Sequence, residues 1–176
     1  MEIQVHKKEL IHRGKVFDLY GENITLPNGH TTTLSILRHP GASAMVALTE
    51  DLKVLLIRQY RHAAGGYIWE IPAGTLDPEE SPLDCAQREL VEETGFSADA
   101  WHKLGEIIPV PGYSDERIHI FLARTLKQAE QNLDSDEVLE VHPFALPEVV
   151  GMITAGQIMD AKTISGIFLA KCHLHF

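Results

Sequence analysis

Residues 74–96 read GTLDPEESPLDCAQRELVEETGF, and three glutamates in this stretch, Glu89, Glu92 and Glu93, could do chemistry together. At about 100° per residue, Glu93 lies about 40° to one side of Glu89 and Glu92 about 60° to the other, so a helix carries all three on one face. Like charges four residues apart repel by a few tenths of a kcal/mol even when solvated. A hard divalent cation removes that repulsion. Mg²⁺ takes oxygen ligands and is commonly held by one or two carboxylates together with substrate phosphates. Arg88 falls beside Glu92 and can orient an acid through a bidentate contact. The competing reading is a solvated acidic face. Either way the three carboxylates are expected to face solvent. Cys85, four residues before Glu89, reads as a small packing residue, because a nucleophilic thiol needs a basic partner and none is near in sequence.

The elements that must position these groups can be read around them. Ser81 is an N-cap, Pro82 the first helical residue, Asp84 a first-turn acid and Gly95 a C-terminal stop, so a helix is expected over 82–94. Leu83, Ala86 and Leu90 form its buried stripe. Residues 1–38 are β-rich. Segments 16–20 and 23–26 alternate in part, Pro27-Asn28-Gly29 marks a turn, and 31–37 is β-branched. Phe17 and Tyr20 read as core rather than as a platform for a base. The apolar runs 43–48 and 54–57, joined through Thr49-Glu50-Asp51, look like a buried hairpin. Further strands are expected at 104–110, 118–123 and 138–144, and helices at 147–155 and 161–171. The fold class is α+β.

Composition narrows the function. The chain has 176 residues, which suits one domain. Acids number 25 against 15 lysines and arginines, a formal charge of −10. A polyanion would be repelled on average, so no nucleic-acid partner is expected. No apolar run approaches the ~20 residues that span a bilayer, and residues 1–6 lack the layout of a signal peptide, so no membrane association is expected. Cys85 and Cys172 match no metal or redox spacing and read as free thiols of a cytoplasmic protein. None of the ten histidines has the spacing of a zinc-protease helix, and His173 and His175 are expected to hold no metal.

Gly74, Glu80, Arg88-Glu89-Leu90, Glu92-Glu93 and Gly95-Phe96 together resemble the Nudix box, the signature of hydrolases that act on a nucleoside diphosphate linked to another moiety. With seven of these positions each fixed to one residue at roughly 5–7% frequency, a chance match is on the order of one in a million, which outweighs the solvated-face reading. Trp69-Glu70-Ile71-Pro72-Ala73-Gly74 and Asp160-Ala161-Lys162-Thr163 resemble the ADP-ribose pyrophosphatase branch. The resemblance implies a mixed sheet sandwiched between helices over residues 41–176. It implies that residues 1–40 are an antiparallel β extension that dimerises and contacts substrate. Glu89 and Glu93 become the main ligands of Mg²⁺ (or Mn²⁺ in its place), with Glu92 and the Ala73 carbonyl as lesser ones, Glu80 as an outer contributor, and Arg88 holding the carboxylates.

The same resemblance places a general base at Glu137, in the acidic stretch Asp134-Ser135-Asp136-Glu137. Asp136 and Glu92 are its competitors. Pro111 lies sixteen residues after Gly95, the spacing associated with ADP-ribose specificity, although Val110 stands where that branch commonly has serine. Pro111, Glu116, Glu70, Arg58 and Arg61 make up the implied substrate contacts. Glu116 is equally an exposed loop acid, and either arginine a surface salt bridge. The expected reaction is hydrolysis of ADP-ribose or a related nucleoside diphosphate sugar. The alternatives are a GDP-mannose or broad sugar-nucleotide hydrolase and, from another class, a non-catalytic ligand sensor.

Overall fold

The computed structural model describes residues 3–135 and 137–175. Its strands are β1 (Gln4–Arg13), β2 (Asp18–Thr25), β3 (Thr31–Arg38), β4 (Ala42–Ala47), β5 (Lys53–Arg61), β6 (Gly66–Glu70), β7 (Ala73–Thr75), β8 (Phe96–Ile107), β9 (Ile118–Gln128) and β10 (Leu139–Ala145). Its α-helices are α1 (Pro82–Thr94), α2 (Leu146–Thr154) and α3 (Ala161–His173). The chain divides into two units. One combines the segment up to Gly41 with Ile108–Arg117, and the other combines Ala42–Ile107 with the chain from Ile118 onward.

The larger unit is organised by β4, the strand buried on both faces. It lies in a four-stranded sheet of order β7-β4-β9-β8, parallel to β9 and antiparallel to β7. Successive side chains of a strand point to opposite faces. Accordingly Ala44, Val46 and Leu48 join Ile120, Leu122, Ile167 and Ala170 on the α3 side. Met45 and Ala47 join Phe121, Ala123, Ala86 and Leu90 on the α1 side. Small apolar residues suit a strand with a helix on each face. Gly166 lets α3 approach closely, since a Cβ there would stand 2.8 Å from Ile71 Cδ1.

The α+β class and the sandwiched mixed sheet expected from the sequence are present, with local corrections. The runs 43–48 and 54–57 do not form a hairpin ladder. Only an isolated bridge joins Leu48 to Val54, and the strands diverge, β4 into the first sheet and β5 into a second of order β10-β5-β6. Both runs are apolar because each is covered on both sides, which periodicity alone cannot distinguish from pairing. The strand expected from 104 starts at Phe96, because β8 pairs with β9 along its whole length. Its solvent-facing His102 and Lys103 hid it. Leu83 is not part of the buried stripe of α1; it is 37% exposed in the first turn.

The smaller unit is an antiparallel sheet of order β1-β2-β3. Segments 16–20 and 23–26 resolve into one strand, β2, that runs through Gly21-Glu22. Phe17 is exposed and Tyr20 half-buried beneath the Lys8 ammonium, 4.4 Å from its ring, so neither is a core residue. The 108–117 loop is tied to β3: Leu37 N–H donates to Tyr113 O at 2.7 Å and Asp115 N–H to Leu37 O at 3.2 Å. Arg38 spans Glu22 at 2.5 Å and Asp115 at 2.9 Å.

Candidate active site

Helix α1 begins as its caps require. Ser81 Oγ accepts from Asp84 N–H at 3.2 Å, Pro82 opens the helix, and Gly95 closes it with φ 71° and an N–H bond to Val91 O at 2.9 Å. The left-handed φ at Gly95 is one that glycine adopts without a side-chain clash. Beside the helix lies β7, where Gly74 has a second reason to be glycine: a Cβ there would overlap the Glu89 carboxylate.

Arg88 gathers the acids. Its Nε and Nη2 donate to the two oxygens of Glu80 at 2.9 and 3.0 Å, and its Nη1 donates to Glu89 Oε1 at 2.7 Å and Glu92 Oε2 at 2.9 Å. Hydrogen bonding from Arg88 holds Glu80 down to about 2 against the ordinary 4.5. The same carboxylates raise Arg88 further above its already high value.

Glu93 departs from expectation. It is fully buried rather than solvent-facing, because its arc of α1 turns under β7, where Ala73 N–H donates to Oε2 at 2.8 Å. Its other oxygen, Oε1, is buried with no hydrogen-bond partner among the described residues. Burial pushes the Glu93 carboxyl well up, and the Glu89 and Glu137 charges add to this against the Ala73 hydrogen bond. Glu89 is pushed up by burial against the pull of Arg88, with Glu92 and Glu137 reinforcing the rise.

Glu137 therefore lies close enough to both acids for its charge to be felt. It is half-buried in a turn where its N–H donates to Asp134 O at 3.0 Å and its carboxylate accepts from Asp134 N–H at 3.1 Å. Asp136 lies outside the described residues. The loop is rooted on α1: Ala129 N–H donates to Gly95 O at 2.8 Å, Gln131 Nε2 to Glu93 O at 2.6 Å, and Asn132 N–H to Glu92 O at 3.1 Å. These bonds satisfy carbonyls that a helix end leaves free. Gln131 was not legible in sequence, since a surface glutamine after a strand carries no signal.

Arg58 is exposed, its guanidinium 4.8 Å from the Tyr67 ring centroid. Arg61 Nε donates to Glu70 Oε2 at 2.8 Å, and Glu70 is buried with Lys162 on its other oxygen. The sequence reading placed Lys162 in the last helix without a role. Pro111 and Glu116 belong to the smaller unit, where Pro111 is exposed and the Glu116 carboxylate lies 3.9 Å from His39 Nδ1. Cys85 packs fully buried, and burial together with Glu80 and Glu89 pushes its thiol up to about 12, despite Arg88 Nη2 at 3.7 Å. That leaves no thiolate for catalysis at neutral pH.

The donor set fits a hard divalent cation. Among the described residues no three His, Cys, Asp or Glu side chains are gathered as a metal cluster. Yet an unpartnered, buried carboxylate oxygen at Glu93, beside the half-buried carboxylate of Glu89, is a pair that a divalent cation would compensate. A groove of about 400 Å³ between β8 and α3, lined by Ile107, Phe168 and Leu169 among others, includes none of these acids.

The chain is similar to known proteins along most of its length. The NUDIX domain model matches residues 37–165. An ADP-ribose pyrophosphatase of Bacillus subtilis (strain 168) is 40% identical over 169 residues, covering 95% of this chain and 91% of that protein. A methanol dehydrogenase activator of Bacillus methanolicus is 38% identical over 92% of this chain and 88% of its own length. A GDP-mannose pyrophosphatase of Yersinia enterocolitica is 36% identical over 77% of this chain and 75% of its own length. A solved ADP compounds hydrolase superposes with a TM-score of 0.87 over 99% of this chain and 95% of that one; at 24% identity it speaks for the fold alone.

Proposed function

The chain belongs to the NUDIX-domain family as a pyrophosphatase-type hydrolase, and from that premise we propose that it hydrolyses the diphosphate bond of ADP-ribose, giving AMP and ribose 5-phosphate. The observation that carries the reading is the pairing of buried Glu93, with its unpartnered oxygen, and Glu89, both on the helix whose Arg88 grips three carboxylates. Glu93 and Glu89 would hold Mg²⁺ (or Mn²⁺), assisted by Glu92 and the Ala73 carbonyl. The ion when bound neutralises the diphosphate and polarises the attacking water.

The chain's own groups do the rest. Arg88 keeps the acids from splaying apart. Arg58 and Arg61 supply positive charge to the diphosphate in a protein that is acidic overall. Glu137 takes the proton of the attacking water, and the charge it exerts on Glu89 and Glu93 supports its nearness to them. Pro111 and Glu116 contact the sugar-nucleotide. Residues 1–40 form the extension of a homodimer, with residues 41–176 as the catalytic domain. The protein is cytoplasmic, with neither nucleic acid nor membrane as partner; no described helix is long and apolar enough to cross a membrane.

The likeness to GDP-mannose pyrophosphatases favours a second reading, GDP-mannose as substrate. A non-catalytic sensor has no need for Glu89, Glu92 and Glu93 together. The test is a panel of ADP-ribose, GDP-mannose, diadenosine polyphosphates and nucleoside triphosphates with Mg²⁺, products read by chromatography. ADP-ribose with the highest kcat/KM supports the first reading. GDP-mannose in that place selects the second, and no turnover of any member restores the sensor.

A further inference from the structure

The segment Glu70-Ile71-Pro72-Ala73 links the start of α3 to the acids of α1. Ala73 N–H donates to Glu93. Ile71 N–H donates to Thr163 Oγ1 at 2.8 Å. Glu70 is 3% exposed and carries one cation on each oxygen, Arg61 Nε on Oε2 at 2.8 Å and Lys162 Nζ on Oε1. Asp160 caps α3 and fixes both of the helix's contributors: Oδ2 accepts from Lys162 Nζ at 3.1 Å, from Thr163 N–H at 2.9 Å and from Thr163 Oγ1 at 2.5 Å. Lys162 is thus held from two sides, with a side chain only 12% exposed.

Arg61 meets Glu70 through Nε, and among the described residues its Nη atoms make no other hydrogen bond. Its side chain is 41% exposed, and its charge is felt at Glu93. An arginine beside a free carboxylate tends to form two parallel bonds, one to each oxygen. Lys162 sits on Oε1, so a two-bond Arg61 pair would have to share that oxygen with the ammonium, and Arg61 meets Oε2 alone. We propose that Lys162 is a positioning residue that, by occupying one oxygen of Glu70, keeps Arg61 from closing a two-bond pair and leaves its Nη edge turned out for the diphosphate of the substrate. This rests on the reading of Arg61 as a diphosphate contact. Glu70 then acts through Arg61 rather than on the sugar-nucleotide itself.

Steady-state kinetics on the full chain test it, with Mg²⁺ and ADP-ribose, or GDP-mannose if the panel selects it. The proteins are wild type, Arg61→Ala, Lys162→Met, Lys162→Arg and the Arg61→Ala/Lys162→Met double variant. Arg61→Ala and Lys162→Met should each raise KM about tenfold with a smaller fall in kcat. Lys162→Arg, which restores a cation to Oε1, should recover most of the loss. The double variant should be no worse than Arg61→Ala alone, because Lys162 has nothing left to act through. If Lys162→Met does not fold, Lys162→Gln takes its place in the same cycle. Multiplied effects in the double variant would make Lys162 an independent contact and overturn the inference, as would an unchanged KM in Lys162→Met while Arg61→Ala is impaired. A silent Arg61→Ala overturns instead the reading of Arg61 on which the inference rests.

Discussion

A buried carboxylate that lacks a partner costs several kcal/mol when ionised, and Glu93 is fully buried with Oε1 unpartnered among the described residues. Glu93→Gln removes that charge with almost no change of shape. In EDTA the variant should therefore melt no lower than wild type. With Mg²⁺ its turnover should fall by a factor on the order of a hundred or more, because a charge stabilising the transition state is lost through its ligand. Normal turnover would sink the ligand assignment. Glu80 provides a separate test through pH. Arg88 depresses it to about 2, so its stabilisation is complete above the ordinary 4.5 and is lost as pH falls from there toward about 2. Glu89 and Glu93 have the opposite sign: raised by burial, their contributions are present below 4.5 and are lost as pH rises through their folded values. The melting temperature of wild type should consequently fall more steeply than that of Glu80→Gln between pH 4.5 and about 2. Parallel curves would remove Glu80 from the Arg88 network.

At the scale of elements, α1 and the 129–137 loop behave as one device. Bonds from Ala129, Gln131 and Asn132 reach the Gly95, Glu93 and Glu92 carbonyls, so the loop bearing Glu137 is pinned to the helix bearing the acids. Gln131→Ala leaves the Glu93 carbonyl without its partner and should cost about 1 kcal/mol, read from the denaturant midpoint at unchanged slope. A loss within error would mean that water replaces the amide. Glu137→Gln should lower kcat with little change in Mg²⁺ affinity or KM, since a group acting only on the attacking water contributes to the transition state and not to ground-state binding. If it is silent, the described part of the loop carries no base and Glu92 is the better candidate.

At the scale of the molecule, the smaller unit raises the question of what covers it. All ten residues of β1 are exposed, including Val5, Leu10 and Ile11, and β1 is an outer strand with one edge unpaired among the described residues. A sheet with bare apolar surface and an open edge is prone to pair with another chain. A second copy related by two-fold symmetry would bury that surface against itself. Light scattering coupled to size exclusion should give twice the monomer mass at micromolar concentration, and a monomer defeats the dimer. Removing residues 1–40 should then raise KM for ADP-ribose. A soluble truncated protein with unchanged KM would exclude the extension from the substrate site.

The sequence by itself determined α1, its two caps and the grouping of Glu89, Glu92 and Glu93, because those features depend only on residue types a few positions apart. It also determined the family through the same spacing, and the α+β class through the run of strands and helices. It misjudged what those elements pack against. That Glu93 is buried follows from β7 lying over its arc of α1. That 43–48 and 54–57 part into two sheets follows from their partners, β9 and β10, which arrive much later in the chain. The link from Lys162 to Glu70 spans 92 residues. No local pattern encodes such a contact. The tertiary structure decided it, because α3 packs on the sheet where Gly166 lets it come close, and so sets the first turn of that helix against the end of β6.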